Sequence, residues 1–433
     1  MTIQENPDTR FLVEGGHPVS GVITPSGNKN EALPTLAATL LCRGRTVLRN
    51  LPRIADVTTL LEILEGIGVV VHSRPDGDLV LDASGELDPE PDPALVSRIR
   101  GSFLLAPGLL LRTGRAVLPR PGGDRIGRRR IDTHLLALKE MGAEVEVGDR
   151  LYHLRLESGF READVFLDEA SVMATENALM AAAVARGTTR IMNAASEPHV
   201  QGLCHLLMAM GARIEGIGTN CLEITGVDAP GESEHRIGPD HIEIGSFVAL
   251  AAMTGGELRI EGVVPSDLRM IRMVFRRLGV RTEFQDGDLL VPGDQELVIQ
   301  DDIHGAIPKV DDAPWPGFPA DLTSIALVLA TQARGMVLIH EKLFESRLFF
   351  VDRLIAMGAR IVLCDPHRAV VVGPAALHGD TMASPDIRAG MALLAAALCA
   401  SGRSVIMNAH QVDRGYERID ERLRSLGARI TRD

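Results

Sequence analysis

The stretch Leu207–Ile214, LMAMGARI, runs from an amphipathic segment into a glycine and then into residues of strand character. It returns as LEGIGVVV at Leu64–Val71, LKEMGAEV at Leu138–Val145, FRRLGVRT at Phe275–Thr282, LIAMGARI at Leu354–Ile361 and LRSLGARI at Leu423–Ile430. The glycines Gly68, Gly142, Gly211, Gly279, Gly358 and Gly427 are spaced by 74, 69, 68, 79 and 69 residues. A second phrase, Ala/Leu-rich and closing on a glycine, keeps the same register. It reads AATLLCRGRTVL, GLLLRTGRAVL, AAAVARGTTRI, LAAMTGGELRI, LVLATQARGMVLI and AAALCASGRSVI, with Gly44, Gly114, Gly187, Gly256, Gly335 and Gly402. Two phrases in one register mark six related units. Each is longer than a solenoid repeat of about 20–50 residues, so each is expected to be a compact α/β unit.

Within a unit, the Ala/Leu-rich phrase predicts a helix that ends on a glycine at C′ and leads into a strand. In the last unit Ile419, Leu423 and Leu426 recur at four and three residues, the apolar stripe of a surface helix. Alternating stretches such as LYHLRLES and NCLEITGV supply hairpin strands. The expected unit is β-α-β-α-β-β, an α/β (α+β) fold. A chain of 433 residues exceeds what one core serves, so the six units should form two lobes of three. The longest glycine interval holds HGAIPKVDDAPWPGFPADLTS. Its four prolines predict an extra-long loop, either functional or a tolerated surface insertion.

Composition narrows the function. With 45% apolar and 24% charged residues the chain has enough to build cores, so it is not a disordered one. One Trp, two Tyr and eleven Phe leave few platforms for stacking bases, and a net charge of −13 opposes a polyanion, so no nucleic acid is expected as partner. The first residues lack a basic segment followed by an apolar one, and no run of 18 apolar residues occurs. A cytoplasmic protein with no membrane partner is expected. Cys42, Cys204, Cys221, Cys364 and Cys399 are odd in number and scattered, with no CxxC, and read as buried reduced thiols. The absence of HExxH and EF-hand spacing argues against a metal.

Four segments concentrate chemistry. PSGNKNEALP, residues 25–34, sets Lys29 between Asn28 and Asn30 at a helix start, where backbone N–H groups favour an anion; an ordinary capped helix reads the same way. RPGGDRIGRRRIDTH, residues 120–134, is a basic island beside a Gly-Gly hinge, suited to a mobile lid over phosphates or, more plainly, to a solvated face. FPAD ends at Asp321 and HEKLFESRLFF carries Arg347. Asp321 at a helix start reads equally as an N-cap, and Arg347 as an exposed pair with Glu345. SPDIRAG and VDRGYERID bring Asp386, Arg388 and Arg414 to unit boundaries, as fixed cations or as structural ion pairs.

Together these segments resemble the enolpyruvyl transferases, and the match runs along the whole chain. It comprises SG-x-K-N at Ser26–Asn30, the PGG lid loop at Pro121–Asp124, ATEN at Ala174–Asn177, FP-x-D at Phe318–Asp321, FE-x-R at Phe344–Arg347, DIRAG and DRGYERI. The resemblance implies helices inside and sheets outside. It also implies one lobe of residues 1–27 and 240–433 with Asp321, Arg347, Arg388 and Arg414, and one of 28–239 with Lys29 and a lid loop at 119–132. It further implies transfer of the enolpyruvyl group of phosphoenolpyruvate to the 3-hydroxyl of UDP-N-acetylglucosamine, without cofactor or metal.

By that similarity Asp124, Asp321, Lys29 and Arg414 are catalytic, with Asp321 the base for the sugar hydroxyl. Lys29, Arg129 and Arg414 would hold phosphoenolpyruvate, with Arg347 and Arg388 nearby. Asn30 would face the sugar, while Arg100, Arg129, Arg130, Ile131, Asp132 and His134 would border the uridine diphosphate. Ser171, Val172, Met173, Glu197, Asp240, Phe344 and Asp386 complete the substrate-binding set. The chain also departs from the family. The commonest members carry a cysteine where Asp124 stands, and a carboxyl is ionised at neutral pH where a thiol is protonated. Met173 replaces the glycine of an SVG sequence, His199 follows Ser196-Glu197-Pro198 in place of an acid, and Arg129-Arg130 replaces RP. Those changes fall on the nucleotide side. They keep open a different uridine-containing acceptor such as UMP, or a silent nucleotide-sugar-binding paralogue. Gly27-Asn28-Lys29-Asn30 in place of D-K-S argues against the shikimate 3-phosphate enzyme.

Overall fold

The computed structural model describes residues 8–124 and 126–433; Arg125 of the basic island lies outside the described residues. All six copies of the glycine phrase build one junction. The glycines take φ between 94° and 115°, the left-handed side of backbone space. In each copy the glycine N–H donates to the carbonyl three residues back and the next N–H to the carbonyl five back. Examples are Gly211 N to Met208 O at 3.0 Å with Ala212 N to Leu207 O at 3.1 Å, and Gly427 N to Arg424 O with Ala428 N to Leu423 O, both at 3.0 Å. This is the Schellman ending, and the apolar residue after each glycine packs back towards the helix. It stops a helix and launches the strand or extended segment that follows, so the repeat in sequence becomes a repeat in space.

Each junction feeds one of six sheets. Thr188–Met192 lies between a parallel neighbour, Asp164–Phe166, and the second strand of an antiparallel hairpin, Arg213–Glu215 with Cys221–Thr225; Arg190 pairs with Asp164 on one side and Glu223 on the other. Four other sheets repeat this order, and the sheet of Arg115–Pro119 has three strands among the described residues. The last sheet is closed from the chain start, with Phe11–Glu14 between Arg403–Met407 and Arg429–Arg432. Gly21–Ile23 likewise supplies the parallel strand beside Leu258–Ile260, and Ser233–Arg236 the one beside Arg45–Arg49.

The described residues fall into two compact units: the described part of Met1–Ser26 with Asp124–Arg128 and Pro239–Asp433, and Gly27–Gly123 with Arg129–Gly238. The loop residues from Asp124 thus group with the C-terminal part of the chain. Each unit encloses three helices from the Ala/Leu-rich phrases. These are His241–Thr254, Thr323–Gln332 and Ile387–Cys399 in one, and Lys29–Ala38, Ala106–Thr113 and Val172–Ala182 in the other. Ile387 to Leu398 are all buried, and a helix apolar on every side has to be enclosed. Each fully buried leucine there contributes about 1.5–3 kcal/mol. The helices of the glycine phrase are one-sided; Arg269–Arg277 buries Ile271, Val274 and Phe275 and turns its arginines outward. No helix is long and apolar enough to cross a membrane.

Three expectations are corrected. Among the Ala/Leu-rich phrases only Gly114 sits at the left-handed end of its helix, because most of the others end their helix several residues earlier, and Gly255 rather than Gly256 serves at the fourth. The proline-rich segment is not an insertion: Lys309–Asp311 is the parallel partner of Gly335–His340, the strand that the repeat requires there. Cys42 and Cys204 are buried, Cys399 is half-buried, and Cys221 and Cys364 are exposed because they sit on outward-facing strand positions. Ala at Gly211 would meet only the Val227 side chain at 3.5 Å, whereas at Gly279 its Cβ would lie 2.3 Å from Val298 N. Both substitutions carry about 1–3 kcal/mol of backbone strain. Gly279→Ala should therefore lower the thermal midpoint by clearly more than Gly211→Ala, as scanning fluorimetry would show.

Candidate active site

Three buried helices of the C-terminal unit start beside one another. Asp240 caps His241–Thr254 by accepting from Ile242 N at 2.8 Å and Glu243 N at 3.2 Å, and Asp386 caps Ile387–Cys399 by accepting from Arg388 N and Ala389 N, both at 2.9 Å. Asp321 does not cap. A short 3-10 turn, Ala320–Leu322, precedes Thr323–Gln332, and the Asp321 carboxylate accepts from Arg347 Nη2 at 3.0 Å and from Arg388 Nε and Nη2 at 2.9 and 2.6 Å. The two guanidiniums are almost wholly buried while Asp321 keeps about a quarter of its side chain exposed, 26%. Arg347 is therefore not an exposed partner of Glu345; that carboxylate accepts from Arg128 N at 3.2 Å.

Arg347 lies over the Phe344 ring and Arg388 over Tyr416, whose hydroxyl meets Ser246 Oγ at 3.0 Å. Burial works against the charge of Arg388, and the Asp321 carboxylate outweighs it, so this guanidinium is held above its ordinary value. Arg347 Nη1 and Arg388 Nη1 are buried donors without a hydrogen-bond partner among the described residues. Asp124 Oδ1 accepts from Arg414 Nη1 at 2.6 Å, and Gln411 Oε1 takes the same nitrogen at 3.2 Å. Burial, with Asp124 adding to it, raises Asp386 above the ordinary carboxylate range despite the two backbone N–H groups that it accepts.

The other unit gathers a second cationic set. Asn28 caps Lys29–Ala38, accepting from Asn30 N at 2.8 Å and Glu31 N at 3.2 Å, while Lys29, nearly buried, meets Asp56 Oδ2 at 2.8 Å. Gly122 is required where the lid loop passes the chain, since a Cβ there would stand 1.7 Å from Ser97 O. Arg100 donates to Arg130 O at 2.7 Å, and burial followed by the neighbouring Arg129 lowers it to about 10. Arg130 pairs with Asp168 at 2.8 Å and Asp132 at 3.4 Å. Ile131 is buried just before the helix Asp132–Glu140. Ser171 caps Val172–Ala182 and accepts from Ala174 N at 3.4 Å, leaving the first-turn N–H groups of Val172 and Met173 without an intrahelical acceptor. Glu197, half-buried, stands before the helix Pro198–Ala209.

Sequence reading missed Asp56, Asp168, Glu341 and Ser246, none of which lies in a quoted motif except Glu341, passed over in HEKLFESR. Among the described residues no group of three potential metal-ligating side chains forms.

Residues 13–423 match the family model described as EPSP synthase (3-phosphoshikimate 1-carboxyvinyltransferase). The chain belongs to this enolpyruvyl transferase family. It is 56% identical over 424 residues to the UDP-N-acetylglucosamine 1-carboxyvinyltransferase of Bradyrhizobium diazoefficiens, covering 98% of each, and 53% identical to the same-named protein of Treponema denticola, covering 97% of this chain and 98% of that one. Among solved structures it resembles the enolpyruvyl transferase NikO from Streptomyces tendae, with TM-score 0.86, 27% identity and coverage of 98% and 99%. An EPSP synthase from Acinetobacter baumannii shares the fold, with TM-score 0.73 and 17% identity over 98% of this chain and all of the other.

His134 shows how tightly the family's basic stretch is packed. Its Nδ1 faces Asn177 Nδ2 at 2.9 Å, its ring meets Phe103 edge-on, and burial followed by Arg100 lowers it to about 3. A histidine held neutral when folded takes up its proton only on unfolding, so stability falls as pH drops below about 6.5. His134→Asn should remove about one proton from the pH dependence of the unfolding midpoint between pH ~6.5 and ~4. An unchanged slope would count against the buried neutral ring.

Proposed function

We propose that this protein transfers the enolpyruvyl group of phosphoenolpyruvate to the 3-hydroxyl of UDP-N-acetylglucosamine with release of phosphate, the first committed step of peptidoglycan synthesis, in the cytoplasm. The acceptor is carried by one observation: relatives 46–56% identical over nearly the whole chain bear that enzyme's name. The side chains support the chemistry. Protonation of the terminal methylene of phosphoenolpyruvate makes the neighbouring carbon electrophilic, and the sugar oxygen adds there while losing its proton. The tetrahedral ketal then returns a proton from its new methyl group and expels phosphate.

Asp321 is the base for the sugar hydroxyl. Arg347 and Arg388 fix both of its oxygens, and their Nη1 groups remain for an anionic oxygen. Lys29, Arg129 and Arg414 supply the charges for phosphate and carboxylate. Asn30 faces the sugar. The N–H groups at the start of Val172–Ala182 suit a diphosphate, and this use of backbone tolerates Met173 where a glycine was expected. Asp124 is the acid. It lies against Arg414, whose guanidinium an arriving phosphate would claim in its place.

Phosphate release with phosphoenolpyruvate and UDP-N-acetylglucosamine, UMP or shikimate 3-phosphate tests the assignment; turnover with either of the last two and none with the first would replace it. Asp124→Asn should lower turnover by at least about 100-fold, the scale of a lost general acid. A wild-type rate in that variant would remove Asp124 from the reaction. A thiol-alkylating epoxide should cause no time-dependent inactivation, since Asp124 stands at the nucleophilic position and offers no sulfur. A covalent adduct on Asp124 would refute this.

A further inference from the structure

Glu341 follows the strand Gly335–His340, its side chain has no solvent exposure, and none of the roles above uses it. Arg347 is its nearest cation, yet Nε stands 3.8 Å from Glu341 Oε2, where an ionised pair would close to about 2.7–2.9 Å. The guanidinium turns instead to Asp321 at 3.0 Å. A second buried carboxyl group, Asp312, sits alongside, accepts from Lys342 N at 2.5 Å and Leu343 N at 3.2 Å, and disfavours a negative charge on Glu341. The remaining polar neighbours are Thr323 at the start of its helix, His340 on the same strand, and His367 of the adjoining hairpin, whose Nδ1 meets Glu341 O at 2.7 Å. Lys342 is turned to Asp311.

We infer that Glu341 is a positioning residue that sets the charge of the Asp321–Arg347–Arg388 cluster: as a carboxylic acid beneath Arg347 it leaves two guanidiniums against one carboxylate, a net positive charge for an anionic substrate. The inference rests on the proposed reading of this cluster as anion-binding. Burial, opposed by Arg347 and reinforced by Asp312, pushes the Glu341 carboxyl up to about 9. Above that pH it ionises, the cluster becomes neutral and the pull on phosphoenolpyruvate weakens.

The test compares KM for phosphoenolpyruvate between the wild-type enzyme and Glu341→Gln from pH ~7.5 to ~10, a range in which the substrate phosphate is fully ionised. The ratio of wild-type to variant KM should rise at least about fivefold as pH passes 9, with the kcat ratio flat. A pH-independent KM ratio overturns the inference, as does a kcat ratio that carries the pH dependence. Glu341→Met, also uncharged, serves if the glutamine variant does not fold. Failure of both to fold overturns it as well, because Arg347 would then require a carboxylate there. Turnover of UDP-N-acetylglucosamine by the wild-type enzyme is read in the same assay, so the function can stand while this inference falls.

Discussion

Six helices buried along most of their length have to be enclosed, and the rest of the structure follows from that constraint. A helix such as Ile387–Cys399, buried from Ile387 to Leu398, can exist in water only if other elements cover its whole circumference. Three such helices cover one another in part, and the sheets launched by the glycine junctions cover what remains. The ends, however, cannot be covered by side chains of the helix itself. Their first N–H groups need acceptors, which is why Asn28, Ser171, Asp240 and Asp386 stand where they do. In the C-terminal unit the consequence is that three positively polarised helix ends and their polar residues collect at one place.

That place would be costly if its charges were left alone. A buried guanidinium without a counter-charge is strongly destabilising, and a buried ion pair roughly offsets its own desolvation. Arg347 and Arg388 share one carboxylate, so the Asp321 cluster is a fixed frame rather than a source of stability. In the proposed function an anionic substrate fills the place left at their Nη1 groups. Capping by Asp386 serves the same frame, since it holds the first turn from which Arg388 projects.

The repeat made the fold legible, because the Schellman ending needs a glycine at one position and an apolar residue after it, and both show in the one-letter string. The motif residues Asp321, Arg347, Arg388 and Arg414 were legible through the family resemblance. What the string could not give was partnership. Lys29–Asp56 and Arg130–Asp168 join residues 27 and 38 positions apart through packing of separate elements, and local patterns carry no trace of that. The N-cap reading of Asp321 failed for a related reason: a 3-10 turn inserted before the helix aims the carboxylate away from the helix N–H groups and at two arginines. The proline-rich segment read as an extra-long loop because its three-residue strand is too short to announce itself among four prolines.

Asp124 is where the chain departs from the commoner members, and its surroundings make the departure intelligible. A thiol would make at most a weak contact with Arg414, whereas the carboxylate ties the lid loop to a residue 290 positions away by a charge-assisted bond of 2.6 Å. Phosphate and carboxylate groups claim a guanidinium better than a single aspartate, because they present more oxygens to the fork of donors. In the proposed reaction, exchange of partners at Arg414 would link arrival of the anionic substrate to release of Asp124 from its ion pair.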